Sequence, residues 1–400
     1  MRNASELDAS QRRRHAFWWV ALAFVVNMIG TTLPTPLYPI YQHQLGFSEL
    51  MVTVIYAVYA AGVIAVLIVC GRWSDQIGRR RMLFAGLALS AASAVAFLLE
   101  GGLPALFIGR VLSGMSAGIF TGTATVAIVE LAPAGQRTRA TLVATAANMG
   151  GLGCGPLLAG LLAQYLPLPL QLCFFADLAL VAVAAFGVWF APETVKIARH
   201  PQLGLQRLGL PPEVRGVFVP AAIAGFAGFA VLGFFTAVAP AVLGRLLKLP
   251  NHALIGAVVF LLFMASTAGQ AALQWVPRKF ALALGCLVQI AGVGFIAAAI
   301  ALASLPLLLA GAVVAGAGQG LAFRAGMADV TAASPEARSG EIVSTFFVVV
   351  YVAISIPVIG VGIAVEKVGL RDAGIGFAIG VGVLSLAALL LLLARRARSA

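Results

Sequence analysis

Twelve continuous apolar runs constrain this chain more than anything else in it. They fall at approximately 16–39, 48–70, 82–101, 104–130, 139–164, 167–191, 216–244, 252–275, 280–303, 305–330, 340–365 and 373–394. Each is about twenty residues or longer, the length an α-helix needs to cross about 30 Å of hydrocarbon. A membrane barrel would instead show stretches of roughly ten residues alternating apolar and polar. Composition agrees: 61% of the 400 residues are hydrophobic and 10% charged, against about 45–50% and about 25% in soluble chains. Soluble enzyme, nucleic-acid binder and disordered tail are excluded as descriptions of the whole chain. An all-α, multi-pass membrane protein with twelve transmembrane helices is expected. The first run, preceded by Arg12–Arg14, is longer than a secretory h-region and lacks a small-residue cleavage site, so it reads as the first span.

The net charge of +12 is a topology signal and does not call for nucleic acid. With both termini inside, 20 of the 26 basic residues lie on the inner side. Arg245, Lys248, Lys367 and Arg371 fall outside, and Arg110 and Arg324 fall within spans. That asymmetry is the positive-inside rule and orients both termini to the cytoplasm. A bacterial inner membrane is the expected setting. Cys70, Cys154, Cys173 and Cys286 lie in or at the ends of spans with no paired spacing, so they read as small buried residues.

The chain is built twice. A shift of 202 sets Gly109, Gly114, Gly118 and Pro133 on Gly311, Gly316, Gly320 and Pro335. A shift of 201 sets Arg137 on Arg338 and Pro156 on Pro357. A single glycine match means little among 44 glycines, but ordered matches at nearly one offset indicate a duplication. The expected organisation is a six-helix bundle over 1–192, a cytoplasmic linker over 193–215 and a second six-helix bundle over 216–400. Such internal symmetry suggests a secondary transporter whose halves rock about a central site.

The loop after the second span reads Gly71-Arg72-Trp73-Ser74-Asp75-Gln76-Ile77-Gly78-Arg79-Arg80-Arg81. The topology rule explains its arginines but not Asp75 or the two glycines. The stretch resembles the signature of the major facilitator superfamily, G-x-x-x-D-(R/K)-x-G-R-(R/K)-(R/K), with Gln76 in place of the usual base. The resemblance extends over essentially the whole chain and implies the twelve-helix, two-bundle fold of that superfamily. It also implies a conformational latch formed by Gly71, Asp75, Gly78, Arg79 and Arg80. In the superfamily the acidic residue sits near the start of the eleventh helix and pairs with the loop's arginines when the protein faces outward. Glu130, at the inner end of the fourth span, resembles the third member of that cluster; a solvated helix end is the alternative.

Arg110 lies inside the fourth span, where a cation costs several kcal/mol unless paired or wetted, so a functional role is the default reading. Snorkelling to the outer surface is the alternative. Its R-x-x-x-G-x-x-x-G context resembles a pattern of proton-coupled superfamily members. In the fifth span Gly151, Gly155, Pro156 and Gly160 match G-x-x-x-G-P-x-x-G-G except for Ala159, and the pattern resembles that of drug:proton antiporters. Leu142 stands where the extended pattern has a further glycine. Glycine-rich packing without directional meaning is the competing reading. Three prolines near the outer end of the first span suggest a broken, cavity-facing helix. In the superfamily's architecture spans one, four, seven and ten line the cavity, which nominates Asn27, Thr31, Thr35, Tyr38, Phe234, Gln319 and Arg324.

Proton coupling requires a carboxylate that can take up a proton near neutral pH. Asp177, near the middle of the sixth span, ranks first, with structural hydrogen bonding as its alternative role. Asp329, near the inner end of the tenth, ranks second. Gly114-Met115-Ser116-Ala117-Gly118 satisfies G-x-S-x-G, but it sits mid-helix with no histidine at depth, so a hydrolase is not expected. No nucleotide-binding glycine loop appears. No cofactor or metal is expected. The expected function is proton-coupled efflux of a small amphipathic compound by a monomer, its partners being that substrate, protons and the bilayer. Uptake of a sugar or organic acid is the alternative within transport, and a non-transporting scaffold or receptor is the alternative outside it.

Overall fold

A computed structural model describes residues 4–71, 73–99, 101–133, 135–201 and 204–399, with side chains described between 11 and 395. Arg2 and Arg72, and the side chains of Arg396 and Arg398, lie outside the described residues. Hydrocarbon offers the backbone no hydrogen-bond partner, so each crossing must close its own ladder, and the regular elements among the described residues are helices. The first half comprises α1 (Ala4–Thr32), α2 (Tyr38–Leu45), α3 (Glu49–Cys70), α4 (Ser74–Ile77), α5 (Arg79–Leu98), α6 (Gly102–Leu131), α7 (Arg137–Tyr165) and α8 (Leu172–Trp189). The second comprises α9 (Pro212–Ala237), α10 (Ala239–Ala241), α11 (His252–Ala272), α12 (Arg278–Ala301), α13 (Leu305–Ala333), α14 (Ser339–Ala353) and α15 (Ile356–Ser399).

Eleven stretches are long and apolar enough to cross a membrane, and the last, Glu336–Arg395, has 60 residues. As one helix it would be about 90 Å long at 1.5 Å per residue, three times the hydrocarbon thickness. It breaks between α14 and α15, and again at Gly369, whose φ of +86° is a left-handed corner inside α15. Two crossings result, making twelve. An even number returns both termini to one face, called here the terminal face; the opposite one is the far face. The proline-rich end of the first span breaks where expected: α1 stops at Thr32, a 3-10 turn covers Thr35–Leu37, and α2 follows.

In the first half α3 and α5 pack on α6, while α1 lies against α6, α7 and α8. In the second half α9, α11 and α12 surround α13, and α15 packs on α9 and α12. The halves meet along α7 with α11, and along α3 with α14 and α15.

The duplicated glycines explain how like elements come together. Lipid tails are as apolar as leucine, so helices in a bilayer associate through close fit, and small residues permit it. A Cβ on Gly114 would strike the Tyr59 carbonyl of α3. Its repeat partner Gly316 would meet the Leu262 carbonyl of α11 at 2.5 Å, and Gly320 the Ser266 carbonyl. Span two against four, and span eight against ten, are thus held by one device used twice. The helix starts repeat as well: Ser48 Oγ accepts from Met51 N at the start of α3, and Asn251 Oδ1 from Leu254 N at the start of α11. These N-caps lie 203 residues apart, close to the offset of the glycines.

Replacing Gly114 with valine must push α3 from α6, and overpacking of this kind costs about 1–3 kcal/mol. Gly122, one turn beyond Gly118 on the same helix, has open space beside it. Thermal unfolding of detergent-solubilised protein should therefore show a clear loss of stability for Gly114→Val and none for Gly122→Ala.

Candidate functional site

A cavity of about 480 Å³ lies between the halves. Its deep end is formed by Thr31 of α1, Arg110 of α6 and Thr236 of α9, which are no more than 2% exposed. Toward the terminal face it passes Thr125 and Val126 of α6, Thr141 and Thr145 of α7, and Arg324 and Met327 of α13, and Val126 is 39% exposed. The cavity therefore opens toward the terminal face and is closed toward the far one.

Close packing of α3 on α6 brings Tyr56 and Tyr59 over Arg110. The guanidinium carbon lies 4.7 Å from the Tyr59 ring centroid and 5.4 Å from that of Tyr56. Arg110 Nη1 donates to the Thr31 carbonyl at 2.6 Å, across to α1, while Nε has no partner. The side chain thus faces the cavity and does not snorkel to the far surface. Its charge is softened by two ring faces, and among the described residues no carboxylate reaches it.

The second half supplies an aromatic wall. Phe229 and Phe323 lie 5.0 Å apart, centroid to centroid, with Phe347 and Tyr351 alongside. Arg324 Nη1 donates to Thr145 Oγ1 at 2.9 Å, joining α13 to α7 across the cavity.

Of the cavity residues nominated from sequence, Thr31 and Arg324 line it. The others are packed between helices in this conformation. Asn27 accepts from Ser116 Oγ of α6, Gln319 accepts from Ser266 Oγ of α11 at 2.6 Å, and Phe234 stacks on Phe377 of α15 at 4.6 Å. Thr35 and Tyr38 are buried in the closure at the far face. Tyr56, Tyr59 and Tyr351 were not nominated, yet all three line the cavity. Tyrosines in mid-span at helical spacing are a usable signal, because their hydroxyls must find a polar neighbour. Ser116 Oγ also lies 2.7 Å from the Gly86 carbonyl oxygen, the two acceptors sharing its one proton, so the G-x-S-x-G serine is engaged between helices.

The loop after α3 is held within the first half. Arg79 pairs with Asp75 one turn earlier, and with both Glu130 oxygens at 3.1 and 3.3 Å. Glu193, which sequence reading had not singled out, accepts from the backbone amides of Arg79 at 2.8 Å and Arg80 at 3.1 Å. It thereby satisfies the free N–H groups at the start of α5, where a carboxylate is favoured. Gly78, between α4 and α5, has φ +112°, and a Cβ there would crowd the Glu193 carboxylate. Gly71 packs beside Gln206, whose backbone N–H donates to the Ile68 carbonyl at 2.7 Å. The Arg80 guanidinium sits over Trp189, 5.3 Å from its centroid. At the start of α14 Glu341 pairs with Arg338 at 2.9 Å, and Thr345 Oγ1 accepts from the Gly209 amide at 3.0 Å.

The glycines of α7 face two ways. Cβ atoms on Gly151 and Gly155 would collide with α1, at the Val25 and Ile29 carbonyls, and one on Gly160 would collide with His252 of α11. Pro156 lies inside the helix with Gly256 of α11 against its carbonyl. Asp177 is 2% exposed in α8, beside Gly30 of α1 and Ser90 of α5, with Oδ1 unpartnered and off the cavity lining. Asp329 pairs with Arg278 at 3.1 Å near the terminal face.

The family model of the Major Facilitator Superfamily matches residues 20–356. The chain belongs to this superfamily. It is a membrane transporter and not an enzyme. Among curated relatives, a Salmonella typhi protein named MdtD, for multidrug resistance, is 29% identical over 153 residues, which is 38% of this chain and 32% of that one. The Salmonella paratyphi B protein of the same name is 28% identical over 152 residues, with the same coverage. The aligned segment thus spans about a third of the length of those relatives. A solved structure, a bacterial homologue of the human lysosomal transporter Spinster in an inward-facing, unoccupied conformation, superposes with a TM-score of 0.68 at 16% identity. It covers 95% of this chain and 96% of its own, and shows the shared fold.

In this superfamily member the far face is closed by contacts between halves, and the residue after each repeated N-cap makes one of them. Glu49, following Ser48, pairs with Arg245 beyond α10 at 2.7 Å. His252, following Asn251, donates through Nδ1 to the Pro36 carbonyl at 2.9 Å, and its amide donates to Gln164 Oε1 at 2.9 Å. Arg245 is 61% exposed, so its ion pair is worth about 0.2–1 kcal/mol. Glu49→Gln should therefore raise the far-face-open population of the transporter by no more than about fivefold. Spin-label distances between the far ends of α2 and α10 would measure it, and a larger shift would assign the pair a greater role than its exposure allows.

Proposed function

We propose that this transporter exports a small amphipathic compound in exchange for protons by alternating access. The observation that carries the reading is the cavity between the halves, which sets an apolar and aromatic surface beside threonines and two arginines and is closed on one face only. The similarity to proteins named for multidrug resistance supports the direction, as does the antiporter-like pattern at Gly151, Gly155, Pro156 and Gly160. The basic excess of the terminal face makes that face cytoplasmic, so the cavity receives its compound from inside the cell. We place the protein as a monomer in a bacterial inner membrane, with bundles over 1–192 and 216–400 and residues 193–215 linking them.

Gly71, Asp75, Gly78, Arg79, Arg80 and Glu130 act as the latch. With the cavity open to the terminal face, Arg79 rests on Asp75 and Glu130; closing that face would bring the start of α14 toward Asp75. Asp177 carries the proton. Its Oδ1 is buried and unpartnered, whereas Asp329 is already paired with Arg278. Arg110, on the neighbouring side of α1, senses the change through the Thr31 carbonyl.

Everted membrane vesicles energised acid inside test the reading. Adding a transported compound should collapse the pH gradient in wild type, and Asp177→Asn should abolish the collapse while remaining folded and able to bind the compound. A collapse that survives in Asp177→Asn would move the proton site to Asp329, and no collapse with any of a broad panel of drugs would remove antiport. Asp75→Asn should lower flux severalfold without lowering thermal stability, an outcome that a non-transporting scaffold could not give.

A further inference from the structure

We propose that the compound held in this cavity is an amphipathic organic anion. Its charged group lies at Arg110 and its ring or chain lies against the aromatic wall of the second half. The proposal rests on the preceding reading that the cavity is the transport site, and it adds the chemical class.

Two side chains with a full charge line the cavity, Arg110 and Arg324, and both are cations. Among the described residues no aspartate or glutamate lines it. Glu130 is paired with Arg79 and Asp329 with Arg278, and Asp177 is not among the lining residues. A cationic compound would thus meet two positive charges with no counter-charge, while an anion would meet both attractively.

A purely structural Arg110 is the competing account, in which it staples α6 to α1 through Thr31. Arginine presents five N–H donors in a fixed fork. One bonds the Thr31 carbonyl and Nε is unpartnered, although the residue is 2% exposed. A staple of that kind is served by a neutral donor at far lower desolvation cost. What the site lacks is an acceptor carrying charge, and a carboxylate fits the fork in two-point geometry. The repeat points the same way. At the offset of 202 Arg110 falls on Ala312 and Arg324 on Gly122, so symmetry and packing require neither cation. Tyr56 and Tyr59 fall on Val259 and Leu262 at the offset of the N-caps, and those are apolar and buried. Arg110 with its two tyrosines is therefore particular to the first half, and the phenylalanine wall with Arg324 to the second, so an amphipathic anion between them would contact both. An inside-negative potential also drives an anion outward, in keeping with export.

Three naphthalene probes of matched size test the class: 2-naphthylacetate, 2-(2-naphthyl)ethanol and 2-(2-naphthyl)ethylammonium. Their dissociation constants would be measured by calorimetry on purified protein in lipid nanodiscs. The acetate should bind about tenfold or more tighter than the alcohol, as expected for a hydrogen-bonded charge pair, and the ammonium more weakly than the alcohol. Arg110→Gln should remove most of the acetate's advantage over the alcohol. Arg110→Lys should keep part of the preference, and Arg324→Gln should reduce it without abolishing it. If Arg110→Gln does not fold, the wild-type ranking together with Arg110→Lys and Arg324→Gln decides. Tightest binding of the ammonium, equal binding of all three, no binding of any, or a preference unaltered in the arginine variants would each overturn the proposal. Proton-linked export of a cation in everted vesicles would keep the antiport reading and sink this one. Anion preference in a protein that moves no protons would do the reverse.

Discussion

Helices within hydrocarbon gain nothing by hiding apolar side chains from lipid, so the fold depends on how closely backbones can approach. In this chain that approach is made at glycines set against carbonyls: Gly114 on Tyr59, Gly316 on Leu262, Gly320 on Ser266. The consequences extend to the site. Because α3 lies flush against α6, the rings of Tyr56 and Tyr59 reach the guanidinium of Arg110, which reaches in turn across to Thr31 on α1. Widening the α3–α6 contact by one methyl group would separate the rings from the charge they shield. Packing and site chemistry are therefore one constraint in the first half.

Much of this architecture is legible in the residues alone. Apolar run length reports crossings because bilayer thickness is fixed. The duplication is visible because both halves solve the same packing problem with the same glycines. The cavity is harder to read. Asn27, Gln319 and Phe234 sit on helices that border it, yet each points to a neighbouring helix, since one polar or aromatic side chain in a span serves packing or lining equally well until its rotation about the helix axis is known. Glu193 escaped notice for another reason. A carboxylate just after a span looks like an ordinary loop residue, and only the fold brings it to the N-terminus of α5, more than a hundred residues earlier in the chain. The mid-span tyrosines were the overlooked signal: of six in the chain, Tyr56, Tyr59 and Tyr351 line the cavity.

The departures from the repeat are as informative as the repeat. Positions that hold helices together are kept between halves, as in the glycine pairs and the caps at Ser48 and Asn251. Those facing the cavity are not: Arg110 against Ala312, Thr121 against Phe323, Gly122 against Arg324. On the function proposed above, duplication supplies two bundles that rock against each other, and divergence at the surface they share makes it chemically two-sided. A ligand with two unlike ends then contacts both bundles at once, so occupancy bears on their relative position.

The closure of the far face shows how such a balance is kept shallow. Glu49 and His252 occupy equivalent places after the two caps, and each reaches the opposite half, one through an ion pair with an exposed arginine and the other through hydrogen bonds to a backbone carbonyl and a glutamine. All these groups can turn to water when the halves separate, so opening forfeits the small net value of each bond and leaves little stranded. An apolar seal of the same area would be stronger and harder to break. For alternating access the two end states must lie within a few kcal/mol of each other. On the terminal face the ion pairs of Arg79 lie within one half, so in this conformation they hold the loop in shape without resisting the opening. Between halves the terminal side of the cavity carries the hydrogen bond from Arg324 to Thr145, so modest polar contacts stand on both sides of the site and neither is a strong lock.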